Sequence, residues 1–460
     1  MTKIIIALAL GVAGVLAVLS HAPLSLPQDV YERDLALAST VESDEVALTE
    51  LVVEPVTDDR PVVTHVPLPD QVKAIYMTAC VAGTPSFRDR LVRLIEETEI
   101  NSVVIDIKDY SGTISFRPES QAWLPAWQAA QCGARDMREF IADLHARNIF
   151  VIGRITVFQD PFYAVRFPHL AVKKADGNTV WKDHKGLSFI DVAAREYWDH
   201  IIELSVESYN LGFDELNFDY VRYPSDGNMR DIAFPHTAAS EWGDNRPANL
   251  EAFFRYLHEA MTDESRFATW RHEGTGRERA VPWTSADLFG MTTTNFDDLS
   301  IGQIQERAAP YFDFIAPMVY PSHYPRNYLG FSNPNDHAYT IVHHAMKSGV
   351  ERMRAPTTSL PGFKHERMGT STPPIYTKLV YGPEHMRTWI QDFNYGGIYD
   401  ADKVREQIQA SYDAGVMSWM IWSPSNNYTR GALKAPGTSE LPVSLKEPVT
   451  VTKPSDNTVE

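Results

Sequence analysis

The chain has 460 residues, of which 44% are hydrophobic, 22% charged and 11% aromatic, with 25 Gly and 30 Pro. That is a globular composition, which excludes a collagen-like, fibrous or wholly disordered protein. With 42 basic and 60 acidic residues the formal net charge is −18, so nucleic acid finds no basic footprint and peripheral attachment to anionic lipid is disfavoured.

The first element is apolar. After Lys3, residues Ile4 to Leu19 carry no charge, the form of a signal-peptide h-region or a short membrane anchor. Ser20-His21-Ala22 is followed by Pro23, which disfavours cleavage, so residues 1–22 stand as either a signal peptide or an uncleaved tether. Both place the bulk of the chain outside the cytoplasm, in the periplasm or cell envelope. Residues 23–70 hold eleven acidic residues, two Arg and six Pro, with no Trp or Phe. Such a segment buries too little to offset its ordering entropy and is expected to be a disordered linker. Residues 435–460 are similarly rich in Pro, Ser and Thr and are expected to be a flexible tail. The ordered body is then 71–434.

Within it, apolar runs alternate with amphipathic stretches. Strands are expected over Val72–Thr78, Ser102–Lys108, Ile149–Phe158, Phe213–Arg222, Val281–Gly290, Phe312–Tyr320, Arg387–Phe393 and Val416–Pro424. Helices are expected over Phe87–Glu99, Ala134–Asn148, Ala193–Asn210, Leu250–Asp263, Asp298–Tyr311, Asp336–Arg354 and Ala401–Ala414. This alternation predicts an α/β protein, a (β/α)8 TIM barrel with enlarged βα loops. A doubly wound open sheet is the alternative, but neither GxGxxG nor a Walker motif is present. The two cysteines, Cys80 and Cys132, are compatible with a bridge or with two small buried thiols.

Strand side chains alternate faces. In the fourth run Leu216, Phe218 and Tyr220 share one parity, and Glu215, Asn217 and Asp219 the other. In the second run Asp106 and Lys108 share a face, and in the third Arg154 and Thr156 do. The fifth contributes Ser285 and Asp287, the sixth Tyr320, the seventh Gln391 and the last Trp422. Charges inside apolar strands are costly to bury unless paired. Any one could be a structural ion pair, yet several gathered at one barrel mouth suit a catalytic site. Two carboxylates among aromatic walls fit hydrolysis of a glycosidic bond. Asp219 is then nucleophile or base and Asp287 the proton donor, with Asp106 as substitute. Lys108, Asp109, Asn217, Arg154, Arg222, Tyr320, Gln391 and Trp422 would hold the sugar. No metal motif such as HExxH and no GxSxG elbow occurs, and no cofactor is expected. Glu215 reads as a buried ion-pair partner and Asp214 as structural. Arg222 is suited either to pinning its loop through Asp226 or to substrate. Trp283, Trp389 and Trp419 read as core. Trp123, Trp127, Trp181 and Trp242 read as sugar platforms.

Several segments carry a family likeness. Val72–Tyr110, Ile149–Pro161 (IFVIGRITVFQDP), Gly212–Gly227 (GFDELNFDYVRYPSDG), Ser285–Gly290 (SADLFG), Ile315–Tyr324 (IAPMVYPSHY), Trp389–Phe393 (WIQDF) and Gln407–Tyr428 follow one another in order. Together they resemble the bacterial putative glycoside hydrolase family, departing from it at Thr388 and Ser423. The resemblance implies a glycosidase-type barrel in an exported or envelope location, and supplies no substrate. An Asp at the end of strand four, here Asp219, is also where many α-glycosidase barrels carry the nucleophile, an analogy of fold. The competing readings are a non-catalytic glycan-binding barrel and a divalent-cation hydrolase built on Asp106 and Asp109.

Overall fold

A computed structural model describes residues 62–267 and 280–438, all within a single compact unit. The apolar segment 4–19 and most of the acidic linker lie outside the described residues, as does the tail beyond 438. Among the described residues no helix is long and apolar enough to cross a membrane.

The strands in chain order are β1 (Lys73–Met77), β2 (Ser102–Lys108), β3 (Phe150–Thr156), β4 (Glu215–Asp219), β5 (Trp283–Phe289), β6 (Phe314–Met318), β7 (Thr357–Thr358), β8 (Glu366–Arg367), β9 (Tyr376–Thr377), β10 (Arg387–Gln391) and β11 (Ser418–Trp422). Strands β1–β6, β10 and β11 pair in parallel and close into an eight-stranded barrel, while β7, β9 and β8 form a small antiparallel sheet in the insertion before β10. Each barrel strand falls inside one of the eight apolar runs.

Six of the seven expected helices cover the barrel: Pro85–Glu96, Met137–Ala146, Arg195–Leu211, Arg246–Thr262, Ala338–Arg354 and Ala401–Asp413. Their ends follow from sequence. Asn245 accepts from the Ala248 amide, with Pro247 in the first turn, and Asp400 accepts from the Lys403 amide. Gly212, at φ +129°, closes Arg195–Leu211. The expected helix Asp298–Tyr311 is mostly a turn. Only Gln305–Ala308 is α-helical, followed by a 3-10 turn at Ala309–Tyr311. Asp298 accepts from the Ser300 and Gly302 amides, and Leu299, Ser300 and Gly302 all have positive φ, which an α-helix does not admit.

Two apolar layers result. Val103, Ile105, Ile107, Leu216 and Phe218 point outward against the helices, whereas Ala74, Val104, Ile152 and Met420 fill the barrel interior. A buried ion pair crosses that interior. Arg387 Nη1 donates to both Glu215 oxygens at 2.6 Å, and its guanidinium lies 3.7 Å over the Phe314 ring. Just before β4, Asp214 accepts from the Val66 and Val151 amides and from His145 Nε2 at 2.8–3.0 Å. Residues 62–70, read above as linker, are therefore tied down at their Val66 amide, and Val63 and His65 are buried. Cys80 and Cys132 are bridged, with Cα atoms 4.7 Å apart.

Two outcomes are expected. Glu215→Ala, which strands Arg387 inside the barrel, lowers unfolding free energy by about 3–5 kcal/mol in chemical denaturation. Thiol labelling of the denatured, unreduced protein finds no free cysteine.

Candidate active site

The strand-four run ends in a forced turn. Tyr220 sits at φ +52°, a left-handed conformation that a bulky residue adopts only when its surroundings impose it. The surroundings are visible: its carbonyl accepts from the Phe158 amide, the Asp219 carbonyl accepts from Val157, and its own amide donates to Asp219 Oδ1 at 2.5 Å. The turn thus fixes the Asp219 carboxylate at the barrel mouth.

Asp219 lies at one edge of a pocket of about 330 Å³. Its polar lining is Tyr76, Arg154, Asp219, Arg222, Ser225, Asp287, Tyr320 and His323, and its apolar lining includes Tyr220, Phe289, Leu299, Ile301, Met318, Trp389 and Trp422. Arg154 organises the acids. Its Nε and Nη2 donate to Asp219 Oδ2 at 3.0 and 2.5 Å, and its Nη1 to Asp106 Oδ1 at 2.7 Å. Asp106 also accepts from the Tyr76 hydroxyl. Burial pushes Asp106 up to about 6, against the pull of Arg154.

Asp287 stands on the strand beside Asp219. The last registered pair between β4 and β5 is Phe218 with Ala286, so Asp219 and Asp287 follow at the same level on the inward face. Burial first, and the Asp219 charge second, hold the Asp287 carboxyl well above the usual carboxylate range. Its Oδ1 accepts from Asn217 Nδ2 at 2.9 Å and from Trp389 Nε1 at 2.7 Å. Asn217 also donates to Ser285 Oγ at 2.9 Å, and Ser285 in turn to Glu215 at 2.7 Å. A polar column therefore rises from the Arg387–Glu215 pair to Asp287. The two carboxylates differ in kind: one is ion-paired with a guanidinium, the other meets only neutral donors and is pushed well up.

Aromatic rings form the facing wall. Tyr320 and Trp422 lie 5.0 Å apart between centroids, and Phe393 meets the Trp422 edge at 4.9 Å. Burial, then the Asp287 and Asp219 charges, push the Tyr320 hydroxyl well up, so it remains a donor.

Of the residues expected to form the site, Asp219, Asp287, Arg154, Arg222, Tyr320 and Trp422 line the pocket. Asp106 and Asn217 stand behind it, holding Arg154 and Asp287 respectively. Three others are engaged elsewhere. A register shift between Asp106 and Lys108 breaks the parity that placed both at the mouth. Lys108 instead ion-pairs with Asp160 at 3.0 Å and donates to the Thr156 carbonyl. Asp109 accepts from the Ser111 amide and hydroxyl and so shapes its own turn. The Gln391 side chain accepts from Ser322 and donates to the Phe393 carbonyl, bracing the loop after β6.

The tryptophans also redistribute. Trp123 and Trp181 are buried, donating to His200 and Asn228 carbonyls, and are not surface platforms. Trp242 packs on Phe363. Trp389, read as core, lines the pocket and holds Asp287; its inward parity with Arg387 and Gln391 was the available signal. Tyr76 and His323 were not singled out for the site. The parity of Tyr76 with Ala74 could have found it, but nothing local marks His323.

The closed barrel, with two buried acids and an aromatic wall at one end, defines the class of glycosidase-type TIM barrels. Residues 74–428 match the family model described as "putative glycosyl hydrolase domain", and the chain belongs to that family. No curated protein matches the sequence. Among solved structures, the PgaB (BpsB) glycoside hydrolase domain from Bordetella bronchiseptica shares the fold, with TM-score 0.51, 11% identity, and coverage of 79% of this chain and 98% of that one. A hypothetical protein from Ruminiclostridium thermocellum is 30% identical over 41% of this chain and 93% of its own, with TM-score 0.35. An α-galactosidase from Thermus thermophilus is 11% identical, with TM-score 0.42 and coverage of 78% and 60%.

Asn217 and Trp389 both donate to the ionised form of Asp287 and oppose its upward shift. Trp389→Phe is therefore expected to raise the Asp287 titration midpoint further, read from carboxyl 13C shifts. A lowered or unchanged midpoint contradicts the assigned bond.

Proposed function

We propose that the protein hydrolyses O-glycosidic bonds of a poly- or oligosaccharide, with Asp219 as nucleophile and Asp287 as proton donor. The observation that carries this reading is the Asp219–Asp287 pair itself. A buried carboxyl pushed well above the usual carboxylate range stands beside an ion-paired one on the adjacent strand, and unlike environments for two acids are what assign acid and nucleophile. Neighbouring strands lie about 4.8 Å apart, a scale that favours the close carboxylate spacing of about 5–5.5 Å used by retaining enzymes. In the first step the Asp287 proton passes to the glycosidic oxygen as the C1–O bond breaks, and an Asp219 oxygen bonds to C1. In the second, water attacks C1, its proton goes to the Asp287 carboxylate, and Asp219 is released. Arg154 orients Asp219 throughout. Tyr320 and Trp422 offer a hydroxyl and a ring face to the sugar.

Location follows the same reading. The apolar segment 4–19 and the Cys80–Cys132 bridge together support an extracytoplasmic, oxidising compartment, with the segment acting as signal peptide or tether.

Product analysis on a polysaccharide panel tests the function. The wild type is expected to release oligosaccharides of retained anomeric configuration, and Asp219→Asn to lose activity by on the order of 10³-fold or more with its fold intact. If the wild type binds a polymer and cleaves none, the barrel is a glycan-binding protein. The acid role also sets the pH profile. Activity needs Asp287 protonated, so it falls as pH rises through the Asp287 midpoint, and the upward shift extends activity toward neutral pH.

A further inference from the structure

Arg222 is the cation of the pocket that the two-carboxylate mechanism leaves unused. Arginines elsewhere in the barrel meet carboxylates: Arg154 meets Asp219, Arg307 meets Glu251, Arg352 meets Glu306 and Arg387 meets Glu215. Among the described residues Arg222 meets none. Its Nη1 donates to the Tyr223 carbonyl at 3.0 Å and to Ser225 Oγ at 3.2 Å, and its guanidinium lies 4.8 Å over the Tyr220 ring. These contacts hold the group in place on the pocket wall and leave Nε and Nη2 without an acceptor among the described residues. Asp226 and Asp183, in the neighbouring loops, have contacts elsewhere. Asp226 faces His184 at 3.6 Å, and Asp183 Oδ1 accepts from the Lys185 and Leu187 amides.

The loop after β3 carries a second cation, Lys185. His323 lines the pocket, and it is pushed down first by burial and then by the Lys185 ammonium. Lys185 has no carboxylate partner among the described residues. On a chain of net charge −18, Arg222 is a guanidinium on the cavity wall with no carboxylate partner among the described residues. An anchored guanidinium with one open side is a planar fork suited to a carboxylate or sulfate.

We propose that the pocket takes an acidic glycan, whose carboxylate or sulfate group seats on the open side of Arg222. This rests on the glycosidase reading of the same pocket and adds its substrate class. It gives the loop after β4 a role distinct from that of Asp219: the strand end carries the reaction and the loop selects for charge.

The test separates this proposal from the function beneath it by reading binding instead of turnover. The full chain carrying Asp287→Asn, which removes the proton donor without changing a charge, is run by affinity electrophoresis in gels containing polygalacturonate or a carrageenan. The neutral controls are carboxyl-reduced polygalacturonate and desulfated carrageenan, so the two arms tell carboxylate from sulfate. At least one acidic polymer is expected to bind about tenfold or more tighter than its neutral counterpart. Adding Arg222→Gln should bring that ratio close to one, and Arg222→Lys should restore part of it. Equal binding of acidic and neutral forms overturns the proposal, as does a preference that survives Arg222→Gln or a failure of every acidic polymer to bind. Binding of a neutral polymer alone removes the acidic substrate and keeps the glycan. Absence of cleavage across the wild-type panel removes the glycosidase reading itself.

Discussion

One guanidinium, Arg154, holds two buried carboxylates on the strands to either side of it, and the site depends on that bridge. Asp106 and Arg154 are registered across β2 and β3, and Asp219 lies two residues beyond Asn217, the β4 partner of Arg154, so the guanidinium sits between the two acids. Burying a lone carboxylate costs several kcal/mol, and a pair is tolerable only when its hydrogen bonds are met. Arg154 supplies three of them, the Tyr76 hydroxyl another to Asp106, and the Tyr220 amide another to Asp219. Without Arg154, each acid would keep one hydrogen bond and no opposite charge.

The same bridge makes Asp287 different. With Arg154 committed to its two partners, Asp287 keeps only neutral donors, Asn217 and Trp389, and stands next to the Asp219 charge. Desolvation and like charge then act in one direction and favour its protonated form. The column below it reaches down to Glu215, so the ion pair that stabilises the barrel interior also fixes the position of the acid at its mouth. Stability and chemistry share a single set of inward-facing residues.

Much of this was legible in the chain. Period-two alternation placed Glu215, Asn217 and Asp219 on one face, and Glu215 proved to be the ion-pair partner that its depth in the strand implied. Local patterning found all eight barrel strands because each is a short apolar run bounded by turn residues. It failed where the backbone leaves its regular path. The irregularity after Asp106 turned Lys108 toward Asp160, and the positive-φ turn at Leu299 and Ser300 unmade an expected helix and put Leu299 on the pocket wall. It failed also where a partner lies far away in sequence. Trp389 reads as core until Asp287, 102 residues earlier, is seen to accept its indole proton. His323 reads as a stray loop residue until the barrel closes around it.

The central claim is that Asp219 and Asp287 do different jobs, and leaving-group dependence separates them most directly. On aryl glycosides of the sugar that the enzyme cleaves, Asp287→Asn should retain hydrolysis of a dinitrophenyl glycoside, which needs no protonation, and lose that of an alkyl glycoside. Asp219→Asn should lose both. Equal losses for the two variants on both substrates, or an Asp287→Asn enzyme that cleaves the alkyl glycoside like the wild type, would contradict the account.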